Sequence, residues 1–380
     1  MDAKNIAAAF SPGEFLKEEL EARGWTQNAL AQILGRQTSV VSAIVNGKRA
    51  ISLDIANDLA AAFGTSPEYW MNLETAYQLF AKSRADDSIE RRAKLFEKAP
   101  LKEMIKRNWL EPSNDWSVLE QRLLAFWGTQ SLDEEPDLIP HAAKKSTPYE
   151  TVTPAQKAWL IRARKLAKGI QAAKFSDESF SDALKRLRQL LENPEDIRHV
   201  PRVLAEGGIR FLIVENIAHS KIDGACFWLN ESSPVIALGM RYDRLDNFWY
   251  ILAHEGGHIR NRDGLNGDLI FDVNLVGDEA VPFDQKPEIE KRADLFAEQT
   301  LIEQTEIEDW INRVHPYYSK AKIMGFARRI HVHPAIVLGQ LQHRKEVEYA
   351  HSRQMLVRVR RFLTTSTLTD GFGQVLSANV

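Results

Sequence analysis

The sequence predicts a multidomain protein, mainly α with an α+β part in its C-terminal half. Three observations predict it. Residues 1 to about 82 read as short amphipathic helices separated by single glycines; from about 196 the apolar period shortens to that of strands; a long apolar helix then carries two histidines four residues apart. A chain of 380 residues, 44 % apolar and with nine tryptophans, can fill two or three cores.

Composition bounds the function classes. A formal charge of -3 makes no global case for nucleic acid, so DNA binding must rest on a local surface. The single cysteine, Cys226, excludes an intramolecular disulfide framework and fits a reducing compartment; its setting in "GACFWLN" predicts a buried strand position. No window approaches the roughly 18 apolar residues that a membrane helix needs, so a cytoplasmic protein without a membrane partner is expected.

In residues 1–82, "PGEFLKEELEARG", "TQNALAQILG", "TSVVSAIVNG", "SLDIANDLAAAFG" and "SPEYWMNLETAYQLFAK" repeat apolar residues at helical spacing. Thr26 and Thr38 are the expected N-caps, and Gly24, Gly35, Gly47 and Gly64 the expected stops. "TQNALAQILGRQTSVVSAIVNGKRAIS" has helix-turn-helix spacing: a supporting helix, the turn "GRQ" and a recognition helix. Ala31, Ile33, Leu34, Val41, Ile44 and Val45 form the expected packing set. Gln37, Thr38, Ser39, Ser42 and Asn46 fall at the start or on the exposed side of the recognition helix. Arg36, Lys48 and Arg49 flank it with no acidic residue between Arg36 and Arg49. Such cations position phosphates, whereas Gln37, Ser39 and Ser42 can meet base edges.

Residues 83–195 read as a helical connector region. It includes a polar, Pro-containing connection at 128–151, and "TPAQKAWLIRARKLAKGIQAA", read as a helix with a solvated basic face. In residues 196–305, "IRFLIVEN", "GACFWLN" and "PVIALG" are β-type segments ahead of the helix "DRLDNFWYILAHEGGH" and, after an acid-rich connection, the helix "PEIEKRADLFAEQTLI". Residues 306–380 read as a helical extension, poor in packing residues after about Thr364.

Residues four apart share a helix face, so His254 and His258 can converge on one ion. Glu255, displaced by about 100°, can face a metal-bound water from outside the coordination shell. Imidazole donors suit zinc, which at hydrolytic centres takes three protein ligands and one open position. Glu290 and Asp294 are four apart on the later helix: Glu290 is the expected third ligand and Asp294 the acceptor for a histidine N–H, with Glu288 as the competing ligand. The preceding "NFWYILA" marks a buried helix, where imidazoles are costly unless paired or ligated. Gly256 and Gly257 inside that helix cost about 1 kcal/mol each relative to alanine.

The stretches "RYDRLDNFWYILAHEGGH", "EIEKRADLFAEQTLI" and "HPAIVLGQLQH" resemble the ImmA/IrrE family of bacterial and phage metallopeptidases over roughly residues 196–345. The resemblance implies a zincin-like domain with His254, His258 and Glu290 as Zn2+ ligands, Glu255 as acid/base and Asp294 at the position after the third ligand. It also implies a protein or peptide substrate such as a repressor or toxin-system component. Gly256 departs from the larger apolar residue common in that family. Tyr250, His315, Tyr317, Tyr318 and His331 are candidate oxyanion donors, and "GACFWLN" or "PVIALG" a candidate edge strand for aligning substrate. Residues 1–82 are similar to the XRE-type helix-turn-helix, in its HigA antitoxin form, through "SPGEFLKEELEARGWTQNALAQILG", "NGKRAIS" and "AAAFGTSPEYWMNLETAYQL". This implies a homodimer on operator DNA. The combined expectation is a regulator with a fused zinc endopeptidase, in a toxin–antitoxin, phage or stress-response system. The alternative is a non-proteolytic HigA-like antitoxin, or a metal-containing sensor or repressor, that binds operator DNA.

Overall fold

The computed structural model describes residues 10–83, 87–134, 136, 144–145, 152–265, 270–277, 280–350, 352–363, 367, 369–371 and 374–376. Its chain divides into two compact units, Met1–Ala93 and Lys94–Val380.

The first unit begins with helices α1 (Pro12–Arg23), α2 (Gln27–Ile33), α3 (Thr38–Val45), α4 (Leu53–Phe63) and α5 (Pro67–Ser83). Apolar residues at helical spacing supply its core: Leu16 and Leu20 from α1, Leu30 and Ala31 from α2, Val41 and Ile44 from α3, Ile55, Leu59 and Phe63 from α4, and Trp70 from α5. Thr26 caps α2 by accepting the Ala29 N–H at 3.1 Å. The expected cap at Thr38 is one residue late: Gln37 is the N-cap of α3 and Thr38 its first helical residue, with the Thr38 hydroxyl donating to Asn28 Oδ1 at 3.0 Å. Ile33 also departs from the expected packing set, because the last turn of α2 faces solvent and leaves it 52 % exposed.

The second unit follows α6 (Asp87–Lys98), within which the division falls. Next come α7 (Leu101–Lys106), α8 (Trp116–Trp127), β1 (Lys144–Lys145), α9 (Pro154–Ala167), α10 (Asp177–Arg188) and α11 (Val200–Glu206). Strands β2 (Arg210–Val214), β3 (Ile222–Trp228) and β4 (Pro234–Leu238) precede α12 (Leu245–Arg260) and β5 (Ile270–Val273). Helices α13 (Glu288–Leu301), α14 (Gln304–Val314), α15 (Lys320–Arg329), α16 (Pro334–His343) and α17 (Arg360–Leu363) lead to β6 (Thr369–Gly371) and β7 (Gln374–Leu376).

These strands form one mixed sheet in the order β1-β5-β3-β4-β2-β6-β7. Because successive side chains alternate faces, β2, β3 and β4 each feed two cores. Ile213, Cys226, Ile236 and Leu238 meet the helices α10 to α16. Leu212, Val214, Ala225, Phe227, Val235, Ala237, Phe271 and Val273 meet α7, α8 and α9. The sheet is therefore covered on both sides, which is why its strands read as nearly continuous apolar runs. Cys226 is fully buried on β3, as its sequence setting predicts.

Two sequence expectations change here. The helices read as a connector bury Trp159, Leu160 and Ile161 against the sheet, and Arg162 pairs with Asp370 of β6. The tail after Thr364, expected to pack poorly, supplies β6, which runs parallel to β2. Most of the 128–151 connection lies outside the described residues. No helix among the described residues is long and apolar enough to cross a membrane.

Candidate metal centre and nucleic-acid face

Helix α12 is buried from Leu245 through Ile259. Its two glycines differ. A Cβ on Gly256 would meet only ring atoms of Phe180 and Phe296 at 3.7 Å, whereas one on Gly257 would stand 3.0 Å from Ala293 Cα. Gly257 thus lets the α13 backbone close on α12, and this contact brings Glu290 and Asp294 to the histidines.

His254 Nε2 lies 3.1 Å from His258 Nε2, 3.2 Å from Glu290 Oε2 and 3.3 Å from Asp272 Oδ2. One ligand atom from each of these four residues falls within 4.8 Å of all the others. His254, His258 and Asp272 are fully buried and Glu290 is 1 % exposed. The outer ring nitrogens are held as well: His254 Nδ1 lies 2.9 Å from Asp294 Oδ1 and His258 Nδ1 lies 3.0 Å from Asp263 Oδ2. Asp294 also accepts from the Tyr250 hydroxyl at 2.9 Å and from Lys286 Nζ at 2.6 Å.

Two imidazoles thus face the carboxylates of Glu290 and Asp272 in a dry interior. A divalent cation between them would take the Nε2 lone pairs of neutral rings and balance the two carboxylates. Two imidazoles with hard carboxylates form a donor set that zinc accepts. Glu255, directly after His254, is fully buried and neither carboxylate oxygen has a hydrogen-bond partner. Gly224 of β3 makes room for it: a Cβ there would fall 2.2 Å from Glu255 Oε1.

Among the protein groups alone, burial disfavours the His254 imidazolium, but Asp272, Asp294 and Glu290 outweigh it and push the pKa well up. Burial and the facing Asp272 push Glu255 well above the usual carboxylate range. Glu290 goes the other way: burial opposes its charge, yet hydrogen bonds to His254 and His258 hold it far below that range.

The other residues that the sequence offers as ligand or donor lie away from the centre or reach it indirectly. Glu288 is 83 % exposed and pairs with Lys291. The Tyr250 hydroxyl donates to Asp294, and its ring lies 6.3 Å from that of His254. His315 and Tyr318 instead bond Glu346, while Tyr317 is exposed, as is His331. Neither "GACFWLN" nor "PVIALG" is an edge strand: β3 lies between β5 and β4, and β4 between β3 and β2, so their backbone groups are already paired. Sequence reading missed Asp263 and Asp272. A single carboxylate inside the apolar strand "IFDV" was the available signal for the second.

In the first unit, Gln37, Thr38 and Ser39 are exposed at the start of α3, with Asn46, Lys48 and Arg49 exposed after it and Ser42 half-buried. Asn46 Nδ2 donates to the Ser42 carbonyl at 2.7 Å. Arg36 is half-buried, and its Nε donates to Asp58 Oδ2 at 2.8 Å.

The helix-turn-helix family matches residues 16–70, which contain all of these side chains. Virulence-associated protein I of Dichelobacter nodosus is 38 % identical over 87 residues, covering 23 % of this chain and 81 % of that protein. Antitoxin HigA-1 of Vibrio cholerae serotype O1 is 42 % identical over 71 residues, covering 18 % of this chain and 67 % of that protein. The chain belongs to the HigA-like helix-turn-helix family. A solved HigA-family addiction module antidote protein from Coxiella burnetii is 40 % identical, with a TM-score of 0.20 and coverage of 24 % of this chain and 92 % of that one. The helix-turn-helix family match ends at residue 70, well before the metal cluster, which stands on its own geometry.

Proposed function

We propose that this protein is a transcriptional regulator that reads operator DNA as a homodimer through α3 of its HigA-like unit and holds zinc in its larger unit. The exposed start of α3, inside the matched helix-turn-helix, carries this reading. Lys48 and Arg49 meet phosphates, while Gln37, Thr38, Ser39 and Ser42 address base edges. Likeness to Antitoxin HigA-1 supports a toxin–antitoxin operon as the setting. Selecting bound duplexes from a random DNA pool and titrating the winners tests it. Lys48→Ala with Arg49→Ala, which removes two phosphate contacts from each protomer, should weaken binding and lower the salt slope of the dimer by about 4. An unchanged affinity and slope rejects this face.

His254, His258 and Glu290 would hold the zinc. Bound there, it would polarise a carbonyl and acidify a water. A second reading, zinc-dependent cleavage of a regulatory protein, is supported by Glu255, whose free carboxylate oxygens can take up and release a proton. The centre's complete burial favours the non-proteolytic reading. Terminal-peptide mass spectrometry of host lysate with wild type and Glu255→Gln separates the two. New termini made only by wild type establish the peptidase; identical termini exclude it.

A further inference from the structure

We propose that Asp272 is a fourth protein ligand of this centre, so that two imidazoles and two carboxylates close the shell and leave no position for a substrate carbonyl. The proposal rests on the metal reading above.

Asp272 faces the histidines because of its register. It pairs with Gly224 across β3 and β5, and directly paired residues project from the same face of a sheet. That is the face on which Gly224 abuts Glu255 of α12. Its neighbours Phe271 and Val273 point the other way, into the core under α7 to α9. A lone carboxylate in an otherwise apolar strand is thus delivered to the histidine pair.

Its polar neighbours there are the two imidazoles. Asp272 is fully buried, and neither Oδ1 nor Oδ2 has a hydrogen-bond partner. The spacing suits a common ion. Donors bound at 2.0–2.1 Å in a tetrahedron stand about 3.3 Å apart. The His254–His258, His254–Glu290 and His254–Asp272 separations are 3.1, 3.2 and 3.3 Å, and His258 reaches Glu290 and Asp272 at 3.7 and 3.9 Å. Asp272 thereby occupies the quarter of the shell that a hydrolytic zinc site keeps for water, and β5 must withdraw it before any peptide is bound.

The full-length protein loaded with Co2+ tests this through its visible spectrum and through zinc affinity, neither of which requires turnover. Azide, a small anion that fills open positions, should leave the wild-type spectrum unchanged and alter that of Asp272→Ala. Zinc affinity in Asp272→Ala, and in the isosteric Asp272→Asn, should fall by more than in Asp263→Asn. Asp263 only orients His258, and such partners are worth roughly 10–100-fold. Circular dichroism identifies which of the two Asp272 variants retains the fold, and that one decides. A wild-type spectrum that responds to azide, or an Asp272 variant with undiminished affinity, overturns the proposal while leaving the three-ligand site standing. Failure of the wild type to bind one equivalent of Co2+ or Zn2+ overturns both.

Discussion

The two units display their candidate functional side chains in opposite ways. In the HigA-like unit, Gln37, Thr38, Ser39, Lys48 and Arg49 stand in solvent, and the core beneath only holds their helix in place. In the larger unit, His254, Glu255, His258 and Asp272 are each fully buried, and the core is itself the site. A surface that reads a charged polymer needs exposed donors on one rigid helix. A site that takes an ion out of water needs its charge balanced from several directions, and here α12, α13 and β5 each contribute.

The largest expected effect tests whether these two designs are independent. Glu290→Ala should lower zinc affinity by about 100-fold or more, judged against the 10–100-fold of outer partners, with operator binding unchanged. Elemental analysis beside DNA titration measures both. A parallel loss of operator binding in a folded variant would show that the ion also supports the reader.

Next in size is a pair of glycine substitutions. Gly257→Ala should destabilise by about 2 kcal/mol, because Ala293 Cα would lie 3.0 Å from the new methyl group. Gly256→Ala should be neutral or stabilising by up to about 1 kcal/mol, since its methyl group finds ordinary contacts. Denaturant midpoints check both; equal shifts would deny that backbone approach of α13 builds the site.

The smallest expected effect is on pH dependence. Burial opposes the His258 charge, but Asp263 and Glu290 prevail and raise its pKa to about 9. Zinc needs the neutral ring, so below that pH binding must expel a proton. Affinity should therefore rise with pH, about tenfold per unit for each proton expelled, and His258's share of that rise should end above about pH 9. Competition titrations between pH 6 and 8 would show a slope smaller by one proton if His258 is outside the shell. Operator binding should lack this dependence.

Legibility in the sequence follows the same contrast. The helices of the first unit were readable because their period and stops are local, and the errors were local too: Thr38 for Gln37 as cap, and Ile33 counted inward on a short helix with an exposed end. The spacing of four in His254 and His258, and in Glu290 and Asp294, was readable for the same reason. Asp272 and Asp263 were not, since each joins through strand pairing or a loop return that no period encodes. The pairing of Arg36 with Asp58, 22 residues away, was not legible either.

The pairing of Gly224 with Asp272 has a consequence for assembly of the sheet. A slip of β5 by one residue would send Phe271 toward the histidines and bury the carboxylate among the aromatic side chains of the opposite core. An ion held by Asp272, as proposed, would therefore bind only where β5 pairs in this register.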